Sequence, residues 1–227
     1  MDDLIEWKNR VDSKPLIIFG ARQVGKTYLV REFANKYYNN IYEINFELEP
    51  NASKLFEGEL TVKNILLQLS SYKPQIEINS KKTLIFFDEV QKCPQVLTAL
   101  KSFALDERFD VIASGSMLGV VLNKVSSYPV GYVYTLHMKP LSFEEFLWGN
   151  NYSDDQIYLY RKYYEDEKEV PIAIHETLNK LFLQYIVVGG MPEVVKIFLD
   201  SFDIGKVIRK QKMILEDYEK DIAKYAS

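Results

Sequence analysis

The sequence predicts an α/β fold: a mostly parallel five-stranded sheet with helices on both faces, followed by a helical C-terminal segment. Three observations carry this. Strand-like and helix-like segments alternate through residues 16–136, the pattern of a parallel sheet joined by helical connections. Thr83-Leu84-Ile85-Phe86-Phe87-Asp88 is a continuous apolar run, as expected of a strand buried on both faces. After residue 140 the strand patterns cease and only helical periodicities remain. The expected organisation is a core at residues 1–140 and a helical subdomain at 141–227.

Each element follows from its own pattern. Leu16-Ile17-Ile18-Phe19 is a short apolar strand, and Leu29, Val30, Phe33, Ala34, Tyr37 and Tyr38 then recur at helical spacing. Ile41 to Phe46 alternates with period two and reads as the second strand. Val62, Ile65, Leu66 and Leu69 mark a helix stopped before Pro74. Thr83 to Asp88 is the third strand, and Val96, Leu97, Leu100, Phe103 and Ala104 stripe the helix after it. Asp110 to Ser114 and Gly131 to Leu136 read as the fourth and fifth strands.

In the C-terminal part, Ser142-Phe143-Glu144-Glu145 is a capping box opening a short helix that contains Phe146 and Leu147. The acidic, tyrosine-rich stretch 150–171 reads as a helical excursion ending at Pro171. Leu178, Leu181, Phe182, Tyr185 and Ile186 form a helix halted by Gly189-Gly190, and Pro192 suits the first turn of the next. Val207, Ile208, Gln211, Ile214, Leu215, Tyr218 and Ile222 line one face of a long last helix. That stripe runs almost to Ser227, which leaves two alternatives open. Either the chain continues in nature or docks on a partner, or the helix folds back onto its own domain.

Composition narrows the function classes. The 227 residues are 47% apolar, with 16 Tyr and 13 Phe, enough for a sizeable core. A net charge of −4, from 28 basic and 32 acidic residues, gives no global basic footprint for nucleic acid. Cys93 is the single cysteine, so no intrachain disulfide forms, and the two histidines have no zinc-type spacing. Met1-Asp2-Asp3 is no signal peptide, and no apolar run approaches the length of a membrane span. A cytoplasmic protein without a membrane partner is the expectation.

Gly20-Ala21-Arg22-Gln23-Val24-Gly25-Lys26-Thr27 fits the pattern G-x-x-x-x-G-K-[ST] and directly follows the first strand. In such a turn the backbone N–H groups converge on phosphates, and the helix dipole adds partial positive charge. Lys26 is placed to reach the β- and γ-phosphates, and the Thr27 hydroxyl to ligate Mg²⁺. With Tyr28 beside them, these are the candidate nucleotide-binding residues. The bland alternative, a chance match in a basic turn, is disfavoured by the strand before it and the helix after it.

The third strand ends in Asp88-Glu89, the form of a Walker B element. Asp88 would hold Mg²⁺ through water, and Glu89 would orient and polarise the attacking water. An acidic strand end alone is most often a solvated turn; paired with the glycine-rich turn in this order it favours hydrolysis. Asn123-Lys124-Val125-Ser126 and Asn179-Lys180-Leu181-Phe182 both lack the acid that a guanine-reading N-K-x-D needs. Residues 141–175 offer only Arg161 where a small-molecule kinase needs an arginine-rich lid, and G-x-S-x-G is absent. Ser116, with Ser114 as the other candidate, would sense the γ-phosphate from the strand beside Walker B; helix capping or a tight turn is the competing role.

G-A-R-Q-V-G-K-T, I-F-F-D-E-V-Q-K-C-P, A-S-G-S-M-L-G, P-L-S-F-E-E-F-L and V-G-G-M-P-E-V-V occur in this order. Together they resemble the prokaryotic AAA+-type ATPases whose longer members carry a C-terminal domain of unknown function. The likeness extends from Trp7 to Ala226. It implies a P-loop NTPase core of strand order 5-1-4-3-2 with a helical lid, using ATP and Mg²⁺. It assigns Lys26 and Thr27 to phosphate and metal, Asp88 to Mg²⁺, Glu89 to water activation and Ser116 to a sensor role. Pro192, in Gly189-Gly190-Met191-Pro192, resembles the lid proline placed against adenine; a helix break with proline in the first turn explains it equally. No arginine finger stands out: Arg22 lies in the glycine-rich turn, Arg108 precedes the fourth strand, and Arg209 lies on the last helix.

The expected function is an ATP-binding and ATP-hydrolysing switch for a downstream domain or partner, either a homo-oligomer or a C-terminal effector domain beyond Ser227. The alternatives are a nucleotide-dependent DNA-binding or defence-associated module, and a protein that binds nucleotide without hydrolysing it. The net negative charge argues mildly against DNA.

Overall fold

The computed structural model describes residues 1–12, 14–116 and 129–225. Met117, Leu118 and Gly119, the segment Asn123 to Ser126, and the last two residues lie outside the described residues. The chain forms two compact units, Met1–Met138 and Lys139–Ser227.

In the first unit, α1 (Asp2–Lys8) precedes β1 (Leu16–Phe19), α2 (Lys26–Tyr37) and β2 (Asn40–Asn45). A 3-10 segment at Pro50–Phe56 leads to α3 (Val62–Tyr72), β3 (Thr83–Asp88) and a second 3-10 turn at Val90–Lys92. Then come α4 (Gln95–Asp106), β4 (Asp110–Gly115) and β5 (Tyr134–His137). The strands form one five-stranded sheet in the order β2-β3-β4-β1-β5, parallel at every pairing. Read from the other edge this is 5-1-4-3-2, the expected P-loop topology.

Side chains alternate across the sheet and fill two layers. Ile17, Ile85, Phe87, Val111 and Ala113 pack into a core with α3, α4 and the Pro50–Phe56 segment. Leu16, Ile18, Leu84, Phe86 and Ile112 face the other way, against α1 and α2. A fully buried Phe, Leu or Ile contributes about 1.5–3 kcal/mol, so both faces favour this register and a one-residue slip would exchange every side chain between layers. That is why β3 and β4 are buried along their whole length and carry the apolar runs Leu84–Phe87 and Val111–Ala113.

Two features differ from expectation. β5 begins at Tyr134 rather than Gly131, because Gly131 adopts φ +79° in a turn closed by Tyr132 N–H donating to Pro129 O (3.0 Å). It is an edge strand with alternating exposure, so its pattern is only half apolar. α1 was not foreseen: its signal is just Leu4 and Trp7, both buried, with Trp7 Nε1 donating to Lys14 O (2.8 Å).

The second unit is helical: α5 (Phe143–Gly149), α6 (Asp154–Glu165), α7 (Ile172–Val188), α8 (Pro192–Ser201) and α9 (Ile204–Tyr225). Capping boxes at Ser142/Glu145 and Ser153/Gln156 satisfy the first N–H groups of α5 and α6. Phe146, Val188, Val194, Val195, Phe198, Val207 and Ile214 form its core. Gly190 is required by packing, since a Cβ there would lie 2.2 Å from Leu141 O. The stripe of α9 splits in two. Val207 and Ile214 are buried, Tyr218 packs with them, and Gln211 donates to Val187 O (2.9 Å) and Val188 O (3.0 Å). Ile208, Leu215 and Ile222, one position further round, are exposed. No helix among the described residues is long and apolar enough to cross a membrane.

Candidate nucleotide-binding site

The parallel sheet brings the carboxyl ends of its strands to one edge, where Phe19 pairs with Gly115 and Asn45 with Asp88. The glycine-rich turn leaves β1 there and opens α2. Gly25 caps that helix at φ 93°, and Gln23 takes φ 63°, a left-handed conformation that costs a non-glycine residue about 1 kcal/mol or more. Gly20 is fixed sterically: a Cβ would stand 2.5 Å from Met138 O and 3.1 Å from the Val24 side chain. Lys26 is buried, and its Nζ donates to the carbonyls of Gly20 (3.0 Å) and Ala21 (2.8 Å). Burial pushes the Lys26 ammonium below the ordinary lysine value, opposed by the charges of Glu89 and Asp88. Arg22 pairs with Glu47 at 3.3 Å, while Tyr28 is exposed on the outer side of α2's first turn.

Asp88, 1% exposed, is the hub of the site. One carboxylate oxygen, Oδ2, accepts from Thr27 Oγ1 at 2.7 Å and from Asn45 Nδ2 at 3.0 Å. The other, Oδ1, accepts from Glu89 N–H at 3.0 Å and from the Ser114 hydroxyl. Four donors from four different strand ends and turns therefore fix one carboxylate. Thr27 and Asp88, sixty-one residues apart, form the hard-oxygen pair that suits Mg²⁺ shared with phosphates. Among the described residues no cluster of three or more His, Cys, Asp or Glu side chains forms an all-protein metal cage.

Glu89 follows in a left-handed conformation (φ 55°), which turns its side chain out of the strand line. Burial raises its carboxyl above the ordinary value, with the Gln91 hydrogen bond pulling the other way and the Asp88 charge adding to the rise. Its Oε2 accepts from Gln91 Nε2 and, at 3.5 Å, from Ser116 Oγ. Gln91 Nε2 also donates to Ser116 Oγ at 3.2 Å.

The structure thus gathers Gly20 to Thr27, Asp88, Glu89, Ser114 and Ser116. Asn45 and Gln91 join them and were not foreseen; their signals were a polar last residue on a strand and the Gln two positions after Glu89. Ser114 is fully buried with its hydroxyl engaged by Asp88, whereas Ser116 is half-buried beside Glu89. Pro192 belongs to the second unit, in the first turn of α8 after Met191. Arg108 is held by Asp106 at 2.7 Å and Arg161 by Glu144. A depression of about 570 Å³ near Tyr38, Asn40 and Glu77 opens at the amino-terminal edge of the sheet and contains no motif residue.

The fold and the glycine-rich turn define a P-loop α/β protein. The AAA domain family matches residues 12–147, more than half of the chain, and the chain belongs to that family. It is also similar to Uncharacterized protein MJ1544 of Methanocaldococcus jannaschii, 29% identical over 203 residues, which are 88% of this chain and 40% of that one. The chain therefore spans about two fifths of that relative's length. Among solved structures it resembles Drosophila ORC bound to DNA, at 16% identity and a TM-score of 0.48, over 95% of this chain and 66% of that one. A DNA replication initiation factor gives 15% identity and 0.42, over 96% and 61%. C. elegans PCH-2 gives 18% and 0.36, over 60% and 38%.

Proposed function

We propose that this AAA-family domain binds ATP with Mg²⁺ at the glycine-rich turn, hydrolyses it, and acts as a nucleotide-dependent switch for a further domain or partner. The observation that carries the reading is the 2.7 Å contact between Thr27 Oγ1 and Asp88 Oδ2. It joins the two halves of a phosphate-and-metal site from distant parts of the sequence. When bound, Mg²⁺ would supply charge neutralisation between the phosphates.

The residues divide the remaining work. Backbone N–H groups from Gly20 to Thr27 would hold the phosphates, with the Lys26 ammonium shifting its hydrogen bonds from Gly20 O and Ala21 O toward them. Glu89 would accept a proton from water as the water oxygen bonds to the γ-phosphorus. The bond to the bridging oxygen breaks, and its electron pair leaves with ADP. The raised Glu89 carboxyl value supports a base role, because a stronger base takes the proton more readily. Ser116, adjacent to Glu89, is the proposed γ-phosphate sensor, and Pro192 the proposed adenine contact from the helical unit. A homo-oligomer or an effector domain remains the proposed receiver of the switch.

The test is phosphate release and equilibrium binding of a fluorescent ATP analogue. Glu89→Gln is expected to keep nucleotide affinity within about threefold and to lower turnover at least about a hundredfold. Lys26→Ala is expected to lose binding. Wild-type release no faster than that of Glu89→Gln, in the longest natural form of the protein, would end the hydrolysis reading.

A further inference from the structure

Gln91 is a buried amide, at 7% exposure. Its Nε2 donates both to Glu89 Oε2 and to Ser116 Oγ, the latter at 3.2 Å, and Ser116 Oγ in turn lies 3.5 Å from the same Glu89 oxygen. The three groups form a closed triangle from three places: the end of β3, the Val90–Lys92 turn and the end of β4. An ionised carboxylate only accepts, so the amide nitrogen rather than its oxygen must face Glu89, which fixes the orientation of the amide. That leaves Gln91 Oε1 buried with no hydrogen-bond partner among the described residues. The unpaired amide oxygen costs stability, while the amide nitrogen serves the Glu89 carboxylate and the Ser116 hydroxyl. The left-handed backbone at Glu89 adds a second sign of local strain kept at this point (φ 55°).

We propose that Gln91 is a positioning residue for Glu89: its amide ties the water-activating carboxylate to Ser116 on the neighbouring strand and so fixes where that carboxylate points. The turn at Val90–Lys92 then serves the site as a brace rather than as a passive link into α4. This rests on the hydrolytic reading above, since a brace on Glu89 matters to rate only if Glu89 acts on water.

The decisive variant is Gln91→Met, which keeps the length and volume of the side chain and removes both amide groups. Glu89→Gln serves as the zero-turnover reference. The expected result is a kcat about a hundredfold below wild type, the scale of loss when a reacting group is misplaced by about 1 Å. The KM for ATP and the affinity for a fluorescent ATP analogue should stay within about threefold, and circular dichroism should show the fold retained. Turnover within about twofold of wild type, or a loss of nucleotide affinity matching the loss of kcat, would overturn the proposal. Should wild-type protein itself show no turnover above Glu89→Gln, the hydrolytic reading fails and the brace is judged by NMR instead. The side-chain amide signal of Gln91, identified by its loss in Gln91→Met, is then expected to move in both Glu89→Ala and Ser116→Ala. A signal unmoved in either variant would refute the brace regardless of activity.

Discussion

Asp88 and Cys93 are five positions apart and both buried, one among hydrogen-bond donors and the other among apolar side chains. Asp88 is almost fully buried and accepts hydrogen bonds from Thr27, Asn45, Ser114 and the Glu89 backbone. Cys93 is fully buried in the layer with Val96 and Phe87, and burial pushes its thiol up to about 11. At pH 8 about one thiol in a thousand would be thiolate even without steric protection. Cys93 in native protein is therefore expected to resist a disulfide reagent such as DTNB from pH 7 to 9 and to react fully once unfolded. Stoichiometric labelling of native protein within seconds would show that the α4 layer is not packed as described.

At the scale of elements, α9 separates a structural line from a free one. Ile214 is buried against the helical core, whereas Leu215, the next residue, is 59% exposed. Ile214→Ala is expected to destabilise the helical unit by about 2–5 kcal/mol through lost transfer energy and a residual cavity. Leu215→Ala should change stability by about 0.5 kcal/mol or less. Urea denaturation followed by circular dichroism compares the two, and equal losses would contradict the assigned face. The contrast also bears on the alternatives left open by the helix's apolar stripe. Folding back covers the line of Val207 and Ile214, while Ile208, Leu215 and Ile222 stay exposed in the chain.

For the whole molecule, ligand binding and stability are linked. A nucleotide bound only by folded protein adds about 2.7 kcal/mol at a hundredfold excess over Kd. The ATP-dependent thermal transition of wild-type protein is accordingly expected to rise by several degrees with Mg²⁺ present, and that rise should vanish in Lys26→Ala. Glu89→Gln should retain it, because that substitution leaves the phosphate cradle intact. A shift that survives in Lys26→Ala would place the nucleotide elsewhere than the glycine-rich turn.

The sequence by itself determined the sheet, because parallel strands covered on both faces must be written as apolar runs, and Leu16–Phe19, Leu84–Phe87 and Val111–Ala113 are such runs. It determined the glycine-rich turn for a similar reason: Gly20 and Gly25 answer a close approach and a left-handed cap that other residues meet poorly. The short α1 and the late start of β5 were illegible, since two apolar positions or a half-exposed edge strand make too little periodicity. Only the tertiary structure decided that Asn45 and Ser114 converge on Asp88, and that Gln91 and Ser116 converge on Glu89. Those contacts run between separate strand ends and turns, and periodicity within one segment carries no information about which polar ends the sheet order will set side by side. The strand order β2-β3-β4-β1-β5 makes that choice. It turned Asp88-Glu89 from an acidic strand end into the centre of the candidate site.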